Sequence, residues 1–520
     1  MKPFLLALLA LLLPLAHSAA VAITPATFDT AAFDTKVEAM MKLWNQPGLS
    51  VAIVKDGRII HERGYGVRKV GSSAPVDAQT LFGIGSLTKS FASATVAKLV
   101  SEGKLDWDAP VTRYLPWFRM PRDRDTDEVT LRDLLSMRSG IGSAEYTFRR
   151  VSLDRTDHVR RIRYLAQRHP LRAQYLYTTD AYTALGVVVS TVTGKPWETF
   201  AAESFFTPLG MRRTDVDDAT AAADPDAASP HLDRDGRMEP IAWVYEDDAA
   251  TPAGGINSSA HDMALWLLFE LAEGKTGGQG NGGQLVPAAA LHETHIPQTP
   301  VRGAFAGDDW ASVAGEGEDR LRFRSYAMGW APHDYRGHTI LTHGGGQDGF
   351  RSRMAILPDD GIGVVVLANA DEALMPLAVL QTAIDDTLGV TDRQWSRRFH
   401  EQAMQREAEA RAAQAKIEAA RVPGTHPSLP LAAYAGSFAD AGAFGPTTIA
   451  VEKGHLVISA GRAQYDLEHW HHDLFKARPR WPYEMESRDF FVAFQLDQKA
   501  EINAFRFSTG YDFRRVAATR

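Results

Sequence analysis

The positions of the strand-forming runs constrain the fold of this chain more than any other feature. Two short β-rich runs, joined by the turn Asp56-Gly57, lie within residues 50–60, and three more lie within residues 339–367. Helical runs occupy the interval between them. Strands at both ends of such a segment predict a single sheet that both ends complete, with helices packed against it. We therefore expect an α/β domain of this kind.

Four segments in that interval have the patterns that are typical of helices. They are residues 88–99, 131–135, 181–192 and 258–271. Ser258 or Ser259 is placed to cap the N-terminus of the last segment. The first and third segments matter most for function, because candidate catalytic residues stand at their N-terminal ends.

The composition changes after residue 395. Residues 397–421 are rich in Ala, Glu, Gln and Arg and contain no Gly or Pro, which indicates an exposed helix. A Pro-containing stretch, 423–430, breaks this helix and is interpreted as a linker. Short β-rich runs follow and predict a small all-β domain. The expected domains are a signal peptide over 1–22, a first domain over 23–395, a helix and linker over 396–428, and a β domain over 429–520.

The N-terminus has the features of a secretory signal. Met1-Lys2 is followed by the apolar run 4–15 and by small residues up to Ala22, with small-x-small sites for cleavage. The run is too short to span a bilayer comfortably, and no later segment is long and apolar enough. We therefore expect a periplasmic or secreted protein without a stable membrane anchor. The chain has no Cys, so no disulfide stabilises it.

The overall composition limits the class of partner. Of the 520 residues, 45% are hydrophobic and 23% are charged, which is an ordinary balance for a soluble globular protein. The net charge is −8. A nucleic-acid-binding face would need an excess of Lys and Arg, so we expect no nucleic-acid partner.

Ser86 and Lys89 are the first candidates for catalysis. They stand at the start of the first predicted helix, three residues apart, which places them on one face. A serine hydroxyl needs a neighbouring base to become a nucleophile, and a lysine can be that base only when desolvation or nearby positive charge lowers its pKa. For the pair alone, a capping Ser followed by a solvated Lys explains the spacing as well, because Ser-x-x-Lys is common.

Two further motifs carry groups that suit acyl transfer. Tyr177-Thr178-Thr179 precedes the third predicted helix, and a Tyr hydroxyl beside a Lys can act as base and then as acid. On its own it is read more simply as a packed aromatic residue. His343-Gly344-Gly345-Gly346 lies between strand runs, where glycines let backbone amides approach a ligand and form an oxyanion hole, although a flexible turn with an incidental His has the same pattern. α/β-Hydrolases also carry His-Gly-Gly-Gly, but their Gly-x-Ser-x-Gly pentapeptide occurs nowhere in this chain.

The order of these motifs resembles that of the serine β-lactamase and penicillin-binding-protein superfamily, in its class C-like branch, which also holds esterases and D-amino-acid-specific peptidases. Further matching segments are 81–85, 208–211, 252–255 and 326–330. The resemblance covers roughly residues 30–390. It implies an α/β (α+β) fold, with an antiparallel sheet flanked by helices and an all-helical subdomain. Residues 429–520 more faintly resemble a lipocalin-like domain found fused to this branch, which implies a small C-terminal β-barrel.

The resemblance also implies catalytic roles. Ser86 attacks the substrate carbonyl, and Lys89 and Tyr177 share the general base and acid work. Which of the two takes the first proton stays open, because coupled groups titrate as a unit. The backbone amides of Ser86 and Gly346 form the oxyanion hole, with Gly345 beside them.

Two departures from the family pattern bear on the substrate. Thr179 stands where β-lactamases of this class usually have an Asn that contacts the substrate amide, and it lacks an amide donor. His343 and Gly344 stand where they usually have Lys and Thr, so a fixed ammonium and a hydroxyl are missing, and His is only partly charged near neutral pH. The resemblance implies that the residue at position 343 helps to hold the substrate and to adjust the acid–base properties of Tyr177. Both changes favour esterase or peptidase activity over efficient β-lactam turnover.

The sequence therefore predicts an exported serine hydrolase that acts through an acyl-Ser86 intermediate. Its expected substrate is a small ester, a peptide or a peptidoglycan fragment, including D-amino-acid and muropeptide types. The alternative is a β-lactamase, or a penicillin-binding or sensing protein with little turnover. No cofactor or metal is expected, since adjacent side chains in the His469–Asp473 segment point to opposite faces of a strand. The presence of the β domain in the same chain as the hydrolase domain also suggests that the β domain binds a peptide or lipid and delivers substrate or controls its access.

Overall fold

The computed structural model describes residues 28–142, 154–243, 251–277, 282–302, 321–390, 393–480 and 490–516. The predicted signal peptide, residues 1–22, lies outside the described residues. Within the described ranges, no helix has the length and apolar character that crossing a bilayer requires.

A six-stranded antiparallel sheet forms the centre of the larger domain. Its strands are β1 (Gly48–Lys55), β2 (Arg58–Gly66), β3 (Ala331–Tyr335), β4 (His338–Gln347), β5 (Phe350–Leu357) and β6 (Ile362–Ala368). Their order across the sheet is β2-β1-β6-β5-β4-β3. Strand β1 pairs with β6 from Leu49 opposite Ala368 to Lys55 opposite Ile362. Both ends of the domain thus complete the sheet, as the positions of the strand runs predict.

Helices cover both faces of this sheet and form a subdomain beside it. The eight longest or functionally placed helices are α1 (Thr30–Trp44), α2 (Thr88–Ser101), α3 (Leu131–Leu135), α4 (Arg155–Arg161), α5 (Asp180–Thr193), α6 (Ala260–Leu271), α7 (Leu374–Leu388) and α8 (Trp395–Ala419). In β1, Val51 and Ile53 join the core formed with α1 and α7, whereas Ala52 and Val54 join the core formed with α2 and α6. A strand that is buried on both faces needs the continuous apolar run that β1 has.

The ends of the helices follow local sequence signals. Helix α6 begins after Ser259, whose hydroxyl accepts the backbone N–H of Asp262 at 3.2 Å, so Ser259 rather than Ser258 is the cap. Helix α5 ends at Gly194, whose φ of 70° places it in the left-handed region.

The glycine segment after His343 differs from the sequence expectation. We expected residues 343–346 to lie between two strand runs, but β4 continues through Gly346 to Gln347. The glycines are needed for close packing of the strand against its neighbours, and they do not form a turn. A β-carbon on Gly345 would lie 2.0 Å from the carbonyl oxygen of Ile84 and 2.2 Å from Oγ of Ser352. Glycine is therefore required there so that the strand can lie against the segment that carries Ser86.

The C-terminal strands close into an eight-stranded antiparallel barrel in which each strand pairs with the next along the chain. They are β7 (Gly436–Ala439), β8 (Pro446–Glu452), β9 (His455–Ala460), β10 (Ala463–His471), β11 (Leu474–Pro479), β12 (Phe490–Leu496), β13 (Ile502–Phe507) and β14 (Asp512–Val516). Phe505 stacks on Phe513 at 4.4 Å between ring centroids, and Phe438 and Phe494 pack on Phe505 at 5.0 and 5.7 Å. Aromatic side chains therefore occupy the centre of the barrel.

Two segments connect or border the barrel. Helix α8 leads to it, and of the 25 residues in this helix only Trp395 and Phe399 are buried. Strand β10 carries His469 and His471, whereas His472 and Asp473 lie in the turn that follows it, so the expectation that the whole segment 469–473 is a strand is only partly correct. Nε2 of His469 lies 2.9 Å from the carbonyl oxygen of His472, and Nδ1 of His471 lies 3.3 Å from the amide of Val422. Among the residues that the structure describes, no group of three or more His, Cys, Asp or Glu is placed to hold a metal.

Candidate active site

Ser86 lies in a 3₁₀ turn, Gly85–Leu87, that leads directly into α2. Gly85 has a φ of +50°, in the left-handed region, and a β-carbon on it would lie 2.5 Å from the backbone nitrogen of Gly346. Both the backbone angle and the close approach require glycine at position 85. This fit brings the Ser86 turn against the glycine segment of β4.

The hydroxyl of Ser86 is the meeting point of two proton-carrying groups. Lys89 Nζ lies 2.8 Å from Ser86 Oγ, and the Tyr177 hydroxyl lies 2.9 Å from it. Lys89 is fully buried, and its Nζ lies 4.9 Å from the centroid of the Tyr177 ring. The structure therefore brings together the three residues that the motifs singled out, in the arrangement of a nucleophile beside its base, although Tyr177 is 91 residues from Ser86 in the sequence.

The Lys89 amine also donates to the carbonyl oxygen of Ala253, at 2.7 Å. Ala253 belongs to a short helix, Thr251–Gly254, and the side-chain amide of Gln347 donates to the carbonyl of Gly254 at 3.1 Å. The segment 252–255 entered the sequence argument only as a family resemblance. A backbone carbonyl has no side-chain signature, so its contact with Lys89 was not predictable from the sequence.

The two backbone segments expected to supply an oxyanion hole face each other. The Ser86 turn lies against β4 at Gly345 and Gly346, and Ser352 on the next strand donates its hydroxyl to the carbonyl of Ile84 at 2.7 Å. This hydrogen bond joins the Ser86 segment to the sheet. Amides on such a fixed backbone can stabilise a developing oxyanion without rearrangement.

His343 is buried and hydrogen-bonded through both ring nitrogens. Its Nδ1 lies 2.7 Å from the carbonyl oxygen of Gly344, and its Nε2 lies 3.0 Å from the hydroxyl of Tyr326. Since a carbonyl only accepts, Nδ1 carries the hydrogen and, in the neutral ring, Nε2 accepts from Tyr326. Burial, assisted by the positive charge of Lys89, lowers the pKa of His343 to about 3. His343 is thus uncharged at neutral pH and has no ammonium-like charge for a substrate carboxylate.

Tyr326 is the residue that the sequence argument missed. Its ring lies edge-on to Tyr177, with 6.4 Å between centroids, and 5.9 Å from the ring of His343. Burial raises the pKa of Tyr326 well above its usual value, so its hydroxyl stays protonated as a donor. The signal available was the segment 326–330, which was noted only as part of the family pattern.

The residues after Tyr177 are held by a buried network. Thr179 is 8% exposed and occupies the position just before α5, with helical backbone angles. Asp180, the first residue of α5, accepts the Thr178 hydroxyl at 2.8 Å through one oxygen and lies 2.8 Å from His158 Nε2 through the other. His158 comes from α4, so this helix is tied to the segment that presents Tyr177.

Known families match both domains. The Beta-lactamase family matches residues 33–389, and a domain of unknown function, DUF3471, matches residues 420–520.

Similar proteins include fungal and bacterial relatives. The unguisins hydrolase ungD of Aspergillus violaceofuscus is 28% identical over 475 residues, covering 86% of this chain and 82% of that protein. Protein flp of Staphylococcus aureus (strain COL) is 24% identical over 349 residues, covering 66% of this chain and 64% of that protein.

Solved structures share the fold. The octameric penicillin-binding protein homologue from Pyrococcus abyssi has a TM-score of 0.62 at 20% identity, covering 94% of this chain and 100% of that chain. SurE with D-Leu has a TM-score of 0.52 at 20% identity, covering 94% of this chain and 99% of that chain. The Beta-lactamase family matches residues 33–389, which is more than half of the length of the chain. The chain therefore belongs to the beta-lactamase family.

Proposed function

We propose that this protein is an exported serine hydrolase that cleaves esters or peptide bonds through an acyl-Ser86 intermediate. The observation that carries the proposal is the convergence of Lys89 Nζ and the Tyr177 hydroxyl on Ser86 Oγ, at 2.8 and 2.9 Å. Two such groups give the nucleophile a way to lose its proton and give the leaving group a way to receive one.

The chemistry proceeds in two halves. Ser86 Oγ bonds to the carbonyl carbon while its proton passes to the Lys89–Tyr177 pair, and the carbonyl oxygen takes up the negative charge beside the amides of Ser86 and Gly346. When the tetrahedral intermediate collapses, the bond to the alcohol or amine breaks, and the leaving group takes the proton from the pair. Water then attacks acyl-Ser86 in the same way, which releases the acid and restores the hydroxyl.

For the substrate we propose a peptide with a D-residue beside the cleaved bond, ahead of a β-lactam. Two features of the site disfavour a β-lactam. The neutral imidazole of His343 provides no positive charge for a carboxylate, and Thr179 has no amide donor. The choice of a peptide with a D-residue is drawn from the relatives, since one is a hydrolase of unguisins and SurE has been solved with D-Leu.

The test is a substrate panel on the purified protein, with nitrophenyl esters, D-amino-acid amides, D-Ala-D-Ala peptides and nitrocefin. Ser86→Ala removes the nucleophile. Ser90→Ala is the matched control, because Ser90 is a buried serine one turn further along the same segment, with its hydroxyl donated to the carbonyl of Leu87. We expect Ser86→Ala to lose all turnover and Ser90→Ala to keep it.

Mass spectrometry after reaction with a fluorophosphonate locates the nucleophile directly. We expect an adduct on Ser86 in the unmodified protein. Full activity of Ser86→Ala on the best substrate, or an adduct at another residue, would refute the mechanism. Faster turnover of nitrocefin than of every ester and peptide would instead favour a β-lactamase.

The exported location is proposed from the N-terminal sequence alone. Cell fractionation and N-terminal sequencing of the mature protein test it. A cytoplasmic protein that keeps residues 1–22 would contradict it.

A further inference from the structure

A turn of the barrel, residues 440–445 between β7 and β8, packs against the hydrolase domain. The turn is held in shape by Asp440, whose carboxylate accepts the backbone N–H groups of Gly442, Ala443, Phe444 and Gly445 at 2.9–3.3 Å. Phe444 is 2% exposed and packs inside the barrel end against Tyr511 and Phe513, at 4.8 and 5.5 Å. The turn is therefore a rigid part of the barrel.

The surface that this turn meets is the C-terminal end of α4 and the residues just after it. Arg161 Nη1 donates to the carbonyl of Ala443 at 3.3 Å, and its Nε donates to Asp157 at 2.8 Å. A β-carbon on Gly442 would lie 2.7–2.9 Å from atoms of the Tyr164 ring. The ring of Tyr164 thus lies directly on Gly442, and the contact leaves no room for a side chain there.

The same helix reaches the catalytic tyrosine from its other side. His158 on α4 meets Asp180 at 2.8 Å, and both side chains are 1% exposed. Asp180 also binds the hydroxyl of Thr178, the residue next to Tyr177. A buried polar network that is fully paired has one favoured arrangement, so it fixes the backbone on which Tyr177 stands.

A second part of the barrel faces this network. Tyr511, in the turn between β13 and β14, is half-buried. Burial raises the pKa of its hydroxyl to about 12, and the negative charge of Asp180 acts in the same direction.

We propose that the barrel is a positioning element of the active site: its 440–445 turn, docked on Arg161 and Tyr164, holds α4 so that His158 and Asp180 fix Tyr177 at Ser86. The inference rests on the proposed function, in which Tyr177 carries a proton to or from Ser86 Oγ. Without the docking, α4 is free to shift, and displacement of a catalytic group by about 1 Å can lower a rate by roughly 100-fold.

The first test is a pair of glycine substitutions in the barrel. Gly442→Ala places a β-carbon against Tyr164, whereas Gly454→Ala is the control, because a β-carbon on Gly454 meets nothing within 4 Å. Both glycines have positive φ, +128° and +82°, so both variants carry backbone strain in a turn of the same barrel. We expect Gly442→Ala to lower kcat about tenfold with KM within twofold, and Gly454→Ala to leave both unchanged.

The second test changes the other side of the contact. Arg161→Ala removes the hydrogen bond to the barrel, and Arg160→Ala removes the same charge from the same helix at a residue that lies over Trp117, at 4.2 Å. We expect Arg161→Ala to slow the reaction of Ser86 with a fluorophosphonate and to shift the pH profile of kcat/KM, Arg161→Lys to restore part of the rate, and Arg160→Ala to match the unmodified protein. A general loss of stability would not move the pH profile.

The outcomes separate this inference from the proposed function. If the unmodified protein forms no adduct on Ser86, the proposed function fails. If it forms the adduct and Gly442→Ala and Arg161→Ala react at its rate with its pH profile, the proposed function stands and the positioning role is wrong. If one of the two variants does not fold, the other, which changes the opposite side of the contact, decides by the same criteria.

Discussion

Replacement of His343 by Gln tests whether the imidazole is uncharged in the folded protein. A glutamine can donate to the Gly344 carbonyl and accept from Tyr326, as the neutral imidazole does, but it does not titrate. The pKa of His343 is about 3 in the folded protein, whereas an ordinary histidine has a pKa of 6.5. Between these two values the unfolded chain binds a proton that the folded chain does not.

The sign and size of the effect follow from this difference. His343 contributes its full stability above pH 6.5, and the contribution falls as the pH drops toward 3. Each pH unit in this window costs about 1.4 kcal/mol, so acidification from 6.5 to about pH 5 should lower the free energy of unfolding by about 2 kcal/mol through this residue.

The measurement is urea-induced unfolding of both proteins, followed by circular dichroism at several pH values between about 7.5 and 5. Burial also lowers the pKa values of His61 and His231, but both proteins contain them, so they cancel in the difference. We expect the unmodified protein to lose about 2 kcal/mol relative to His343→Gln on acidification. A difference that is constant with pH would mean that His343 takes up its proton in the folded state, and the assignment of a neutral ring would be refuted.

Three further substitutions test other parts of the site and its support. Gly85→Ala should lower the free energy of unfolding by at least about 2 kcal/mol in urea titrations, because its φ is +50° and its β-carbon would meet Gly346; a stable variant would contradict the close packing. Asp133→Asn should cost about 3 kcal/mol by the same assay, since fully buried Asp133 pairs with Arg138 and Arg172 at 2.6 and 2.8 Å; a loss below about 1 kcal/mol would show that these pairs add little. Tyr177→Phe keeps the ring but removes the hydroxyl at Ser86, so steady-state kinetics should show kcat lowered by about 100-fold with little change in KM, and an unchanged kcat would exclude its role in proton transfer.

The sequence predicted most reliably what depends on neighbouring residues. Ser86 and Lys89 are three residues apart on a helical segment, so their contact follows from helix geometry. The approach of Tyr177 depends on how α5 packs against α2, and no local pattern encodes that distance. Only the resemblance of the ordered motifs to a known family made Tyr177 and His343 candidates.

The missed features share a physical cause. Residues 343–346 were expected to lie between two strand runs, but β4 continues through them, because the close approach of the Ser86 segment outweighs the low strand preference of glycine. Strand β10 was expected only at its histidine end, within residues 469–473, although its buried Ala463, Tyr465 and Leu467 alternate with more exposed polar residues. The pairing of His158 with Asp180 joins residues from two helices and leaves no periodic signal in the sequence.

The pairing of β1 with β6 has a consequence for the order of events during synthesis. Leu49 meets Ala368, so the central strands of the sheet come together only after about 300 further residues have been made. Until then β1, whose two faces are both apolar, has no partner on its β6 side and exposes surface that can aggregate.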